Sequence, residues 1–262
     1  MSPGLRGVRV LVTRPAAQAQ GLARAIREHG GEPVLFPALA ILPLEDPTAL
    51  EARIHTLEQY DLAVFISPNA VRHGLEAVQA RHGRLPQNLA LAAVGRGTAA
   101  ALQQAGYEHI LIPMERADSE GLLARPELQA MGGRRVLIFR GQGGRETLKR
   151  VLTERGARVD YAECYRRGLP DTDPAPLRRR LEQGTLDIVT LTSGEAARNL
   201  VTLAGETHRA RLLSLPQVVI GERIARLCRE LGFEPPALIA ADGSDAAMVD
   251  ALRSWRLGQK RL

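Results

Sequence analysis

Gly7-Val8-Arg9-Val10-Leu11-Val12-Thr13-Arg14 returns as Gly133-Arg134-Arg135-Val136-Leu137-Ile138-Phe139-Arg140, 126 positions on. The same shift carries Leu22, Glu28 and Gly30 onto Leu148, Glu154 and Gly156, and Asp61, Ser67, Ala70 and Arg72 onto Asp187, Ser193, Ala196 and Arg198. It also carries Gly95, Ala99, Gly106 and Glu108 onto Gly221, Ala225, Gly232 and Glu234, with Tyr107 becoming Phe233. Three blocks in one ungapped register mark an internal duplication. A period this long means two domains, not a solenoid of short repeats.

Each copy alternates short β-branched runs with segments of helical spacing. Strands are expected at 9–13, 62–66 and 89–94, with another near 109–112, and helices at about 17–29, 68–80, 97–105 and 119–128. Gly30, Gly106, Gly156 and Gly232 stand where a helix should end in a left-handed cap. Such alternation implies parallel sheets with helices on both faces. The expected fold class is therefore α/β, as two similar flavodoxin-like domains. Pro33–Pro43 and Val159–Pro170 fit neither pattern, and their prolines confine them to edge strands or linkers. Two such segments at matching positions suggest that the chain crosses between domains twice, making one domain discontinuous; an uncrossed arrangement has the same internal symmetry. The crossed reading divides the chain into 1–33 plus 171–262, a second domain at 44–158, and connector strands at 34–43 and 159–170.

At 262 residues and 45% hydrophobic content the chain has material for two cores. Its longest apolar run, 33–44, holds three prolines and falls well short of the roughly 20 residues of a membrane span. Met1–Arg6 lacks the apolar stretch of a signal peptide, so a cytoplasmic protein without membrane contact is expected. Cys164 and Cys228 read as core thiols, since two cysteines make neither a disulfide framework nor a CxxC site. Basic residues number 35 against 29 acidic, a net charge of +6, and all but Lys149 and Lys260 are arginine. Arginine pairs bidentately with carboxylate and phosphate. With 3% aromatics and no nucleic-acid motif, the scattered arginines suit a small anionic ligand better than nucleic acid, codon bias being the bland alternative. Gly141-Gln142-Gly143-Gly144 lacks the Lys-Ser/Thr of a phosphate-binding loop, and the six histidines show no paired ligand spacing, so neither cofactor nor metal is expected.

Thr13-Arg14-Pro15 after the first strand, Ser67-Pro68-Asn69-Ala70-Val71 after an Asp-led strand, and Ala93-Val94-Gly95 with Thr98-Ala99 resemble the uroporphyrinogen-III synthase family. So do Ser119-Glu120-Gly121-Leu122-Leu123, Arg140-Gly141 with Gly144-Arg145-Glu146, and Cys164-Tyr165-Arg166-Arg167 before Pro170. The resemblance implies two α/β lobes joined by a two-stranded connector, with the first strand and helix belonging to the C-terminal part. It also implies cofactor-free closure of hydroxymethylbilane to uroporphyrinogen III, with inversion of the last ring and loss of water. The implied partner is a linear tetrapyrrole with eight carboxylates, met by a monomer in transient contact with hydroxymethylbilane synthase. A non-catalytic two-lobed binding or regulatory module of the same fold is the alternative.

Within that frame Tyr165 is the expected general acid, since by the resemblance it faces the cleft and a phenol donates without carrying charge among carboxylates. A packed connector aromatic is the other reading. Ser67 and Ser193 stand where a strand gives way to a helix, as caps or as anion sites with the first-turn amides. Gly95, Thr98 and Gly221 follow the same logic at the next turn, and Asn69, Ser119 and Gly141 join them through the resemblance. Arg223 stands where a hydroxyl is often found and is expected to pair a carboxylate. Arg14 and Arg140, each ending a first strand, are expected as carboxylate clamps or as salt-bridge partners.

Overall fold

A computed structural model describes residues 4–114 and 118–259. The chain opens with β1 (Arg9–Val12), α1 (Ala16–Glu28) and β2 (Glu32–Leu35). It continues through β3 (Ala40–Leu42), α2 (Thr48–His55), β4 (Leu62–Phe65), α3 (Pro68–His82), β5 (Ala90–Ala93), α4 (Arg96–Gln104), β6 (Ile110–Leu111), α5 (Ser119–Leu123), β7 (Arg135–Gly141), α6 (Thr147–Glu154) and β8 (Arg158–Gly168). It closes with α7 (Ala175–Glu182), β9 (Ile188–Leu191), α8 (Gly194–Leu213), β10 (Gln217–Ile220), α9 (Gly221–Leu231), β11 (Leu238–Ala240) and α10 (Asp245–Gln259).

Two compact units result, one taking the chain up to Ala40 and again from Gly168, the other Ile41–Arg167. The first has a five-stranded sheet ordered β11-β10-β9-β1-β2 with every pair parallel. The second has a six-stranded sheet ordered β3-β8-β7-β4-β5-β6. Under the 126-residue shift β1 and β2 correspond to β7 and β8, and β4, β5 and β6 to β9, β10 and β11. Each sheet thus joins the opening strands of one copy to the later strands of the other. Val10 pairs with Ile188, and Leu62 with Val136. Along β1, Val10 and Val12 pack against α1 and α10 while Leu11 joins the opposite layer with Val189, Leu191 and α8. Buried on both faces, such strands read as unbroken apolar runs.

Three details depart from the sequence expectation. The helix expected over 119–128 stops at Leu123, because Pro126 holds Arg125 extended (ψ 135°), and a separate 3-10 turn follows at Pro126–Leu128. Asp46-Pro47 starts the unanticipated α2, with Asp46 Oδ1 accepting the Thr48 amide at 2.9 Å. The segment 159–170, expected as a connector, is for most of its length a sheet strand: β8 pairs with β7 from Arg158 to Tyr165. Val159 and Tyr161 pack on one face of that sheet, Ala162 and Cys164 on the other.

Strict alternation would send Tyr165 to the face of Tyr161. The register slips between Arg140 and Gly141, which pair with Glu163 and Tyr165, leaving Cys164 as the extra residue of a bulge. The bulge turns Tyr165 onto the face of Cys164. Gly141 is the residue that lets the ring lie there, since a Cβ on it would sit 2.5 Å from Tyr165 Cε2.

Candidate functional site

Open parallel α/β sheets present ligand-binding turns at the carboxyl ends of their strands. In the unit built from Ile41–Arg167 these ends hold Ser67, Gly95, Ser119, Arg140 and Tyr165. Ser67 caps α3, its Oγ accepting the Ala70 amide at 3.1 Å. The same Oγ lies 3.2 Å from the Tyr165 hydroxyl, and Arg167 Nη2 reaches that hydroxyl at 3.4 Å with its guanidinium over the Tyr165 ring. Tyr165 is 1% exposed, among the most buried large side chains. The expectation of a phenol open to ligand is thus replaced by a buried phenol with a half-buried serine in front of it.

His73, one turn into α3, lies with its ring 5.6 Å from that of Tyr165. Its Nε2 is 2.7 Å from Arg72 Nη2 and its Nδ1 is 3.2 Å from Glu76 Oε2. An imidazole that accepts from a guanidinium and donates to a carboxylate is neutral. Burial, with Arg72 beside it, accordingly holds the His73 pKa below the usual 6.5 against the opposing pull of Glu76.

Arg140 does not reach outward. It is 2% exposed and threads back into its own loop, bonding Gly141 O (3.2 Å), Gly143 O, Arg145 O (3.4 Å) and Glu146 Oε1 (3.1 Å). Its guanidinium lies 4.3 Å from the Tyr161 ring centre, and the Tyr161 hydroxyl donates to Glu146 Oε2 at 2.6 Å. Burial and the Glu146 contact push the Tyr161 phenol up to about 12. Of the two readings for Arg140, the internal ion pair is the one this geometry contains. Gly95 starts α4 on extended backbone, Thr98 is buried beneath that turn, and Asn69 is half-buried in the first turn of α3. Ser119 opens α5, but the cap is Asp118, whose Oδ1 accepts the Gly121 amide at 2.8 Å.

The other unit repeats the frame with different occupants. Ser193 Oγ accepts the Ala196 amide at 3.1 Å, the same cap in the same place. Where Tyr165 stands in one unit, the equivalent position is the buried Leu39, and the equivalent of His73 is Asn199, which donates to Ala38 O and Gly168 O. Arg14 Nη1 pairs with Asp245 Oδ1 at 2.6 Å and its Nη2 reaches Gly243 O at 2.8 Å, so it too is held within its unit. Gly221 opens α9 at φ 75°, a backbone that favours glycine, with open space beside it. Arg223, in the first turn of α9, is exposed, as is Arg198 on α8.

Four residues of these turns escaped the sequence reading. His73 lies two residues beyond one quoted motif and Arg167 inside another, yet only the bulge at Cys164 brings Tyr165 to meet them. Glu146 and Arg198 had visible positions, in the Arg140 loop and in the repeat, but no pattern announced their partners. Cys164 fits the reading of an inert core thiol, with burial pushing it up to about 12. Among the described residues no group of three histidine, cysteine or acidic side chains is placed to hold a metal, and no helix is long and apolar enough to cross a membrane.

A sequence model of the family described as uroporphyrinogen-III synthase HemD matches residues 20–250. Uroporphyrinogen-III synthase of Escherichia coli K12 is 34% identical over 245 residues, covering 93% of this chain and 99% of that protein. Among solved structures, a mutant uroporphyrinogen III synthase from the extremely thermophilic bacterium Thermus thermophilus superposes with a TM-score of 0.57 at 22% identity, covering 97% of this chain and 100% of that one. The uroporphyrinogen-III synthetase of Helicobacter pylori 26695 gives 0.57 at 19% identity, over 95% and 100%. At those identities the two structures speak for the shared fold.

Proposed function

The chain belongs to the uroporphyrinogen-III synthase family, and from that premise we propose that it closes hydroxymethylbilane to uroporphyrinogen III with inversion of the last ring and loss of water, as a cofactor-free lyase of tetrapyrrole (heme and siroheme) biosynthesis. The observation that carries this is the reach of the family match, which spans nearly every strand-to-helix turn of both units, residues 20–250. We place it in the cytoplasm as a monomer that receives its substrate in transient contact with hydroxymethylbilane synthase.

The chemistry begins when the hydroxyl of the hydroxymethyl group takes up a proton and leaves as water, so that its carbon becomes part of a delocalised cation. The far ring then attacks through its substituted carbon, and the spiro intermediate fragments and recloses with that ring turned over. Because the free bilane also closes without inversion, the protein's main task is to hold a folded substrate, and positioning of this kind lowers a barrier by about 7–11 kcal/mol in favourable cases. The backbone amides at the β4–α3, β5–α4, β9–α8 and β10–α9 turns, with Asn69, Thr98, Ser119 and Gly141 around them, are the proposed holders of its carboxylates. Arg14 and Arg140 act on those carboxylates through the loops they brace.

Ser67, backed by Tyr165, is the proposed proton donor to the leaving hydroxyl. The phenol is too deeply buried to touch substrate itself, so it acts through Ser67 Oγ at 3.2 Å. As Ser67 gives its proton away it takes that of Tyr165, and Arg167 faces the oxygen left negative. The ring carbon that finally closes loses a proton, which restores the phenol. Such acid assistance is worth about 10²- to 10⁴-fold.

The test is to give the purified protein freshly made hydroxymethylbilane, oxidise the products and separate the isomers. Predominantly type III is expected. Type I alone, at the rate of the free bilane, contradicts the enzyme and leaves a binding module.

A further inference from the structure

We infer that Arg198 and Arg223 form a two-guanidinium clamp for one carboxylate of the ligand, at the ends of β9 and β10. Arg198 comes from α8 and Arg223 from α9, yet their Nη1 atoms lie 3.7 and 3.8 Å from one point, the place a Cβ on Gly194 would occupy. The two are therefore nearer to each other than the Debye length, about 8 Å at physiological ionic strength, and their repulsion is little screened. Among the described residues neither guanidinium is engaged by a carboxylate within 4 Å, and both side chains are exposed. Two like charges brought together without a counter-charge are unfavourable until an anion sits between them.

The convergence is built by packing. Leu227 of α9 lies against the start of α8, where a Cβ on Gly194 would meet its Cδ2 at 2.6 Å. Glycine there lets α9 come close and carries Arg223, one turn before Leu227, up to Arg198. The duplicated unit shows the alternative. Arg72, the counterpart of Arg198, is engaged by Glu76 at 3.8 Å and His73 at 2.7 Å. The counterpart of Glu76 is Thr202, and that of Arg223 is Gly97. Of the two corners, the one between α8 and α9 therefore has both guanidinium groups and lacks the acid that would quench them. A planar carboxylate accepts from two such forks at once. The ligand's identity rests on the function proposed above, in which the clamp takes an acetate or propionate arm of the bilane.

Arg198→Gln and Arg223→Gln should each raise KM for hydroxymethylbilane about tenfold, the loss expected for one charge-assisted contact at a half-open site, with kcat within twofold. The double variant should show a shallower dependence of KM on salt than the parent. Thermal stability should not fall and should rise slightly, since neither guanidinium makes an ion pair in the fold and removing one relieves their repulsion. Arg24→Gln, which removes the same charge from the exposed face of α1, should leave KM alone. A second probe is independent of turnover: mellitate, a benzene hexacarboxylate, should raise the melting temperature of the parent and fail to raise that of the double variant. If the parent makes no type III product yet mellitate discriminates, the activity falls and the clamp stands. An unchanged KM in the double variant, or an equal rise in Arg24→Gln, overturns the clamp.

Discussion

The β4–α3 and β9–α8 turns have the same backbone and the same cap, Ser67 and Ser193 each accepting the amide three residues on at 3.1 Å. What lies behind each hydroxyl differs. Ser67 is backed by a buried phenol and an imidazole, while the matching positions behind Ser193 hold Leu39 and Asn199. What lies beside them differs in the opposite sense, since Arg72 is engaged with Glu76 and His73 while Arg198 meets Arg223. Duplication supplied two turns of like backbone, and in the function proposed above substitution at a few supporting positions divides proton donation from anion holding between them.

The largest effects should come from the residues behind the two serines. Tyr165→Ala removes a 1% exposed aromatic and should cost about 3–5 kcal/mol, whereas Leu39→Ala, at 8% exposure, should cost about 2–4 kcal/mol. Both are read from urea unfolding, and equal losses without any change in turnover for Tyr165→Ala would break the division. Next come the two glycines that admit a neighbour. Gly141→Ala drives a methyl into the Tyr165 ring at 2.5 Å and should destabilise by about 1–3 kcal/mol. Gly194→Ala meets only the movable end of Leu227 at 2.6 Å and should cost less, while pushing α9 and Arg223 away and raising KM.

A smaller effect separates the units by pH. His73 has its pKa lowered in the fold, so the fold favours the neutral ring. The stability this contributes is fully present above about pH 6.5 and is lost as pH falls below it. Asn199 at the equivalent position does not titrate. His73→Gln should flatten the decline of the unfolding midpoint between about pH 7.5 and pH 5.5, and an unaltered slope would assign that decline elsewhere.

Much of the fold was legible because duplication shows every element twice. The strand positions, the serine caps and the four helix-ending glycines, all at positive φ, follow from local spacing. The crossed pairing was less accessible, since Val10 meets Ile188 through contacts that local spacing does not encode. The site was legible in its addresses and not in its contacts. Tyr165 reads as a connector residue until the bulge at Cys164 turns it inward over Gly141. Arg14 and Arg140 read equally as clamps or as salt-bridge partners until Asp245 and the Gly141–Glu146 loop are seen to occupy them. Arg198 was visible in the repeat, but the clamp proposed for it depends on the carboxylate missing at Thr202 and on helix packing at Gly194.

The division of labour between the units is decided by measuring the two serines side by side. Ser67→Ala and Ser193→Ala should lose similar stability, about 1 kcal/mol each as lost helix caps. With hydroxymethylbilane, Ser67→Ala should lower kcat about 10²-fold or more with KM little changed, as the loss of an acid does. Ser193→Ala should keep kcat and raise KM by a few fold. Equal losses of kcat in the two variants, or full turnover in Ser67→Ala, would contradict that division.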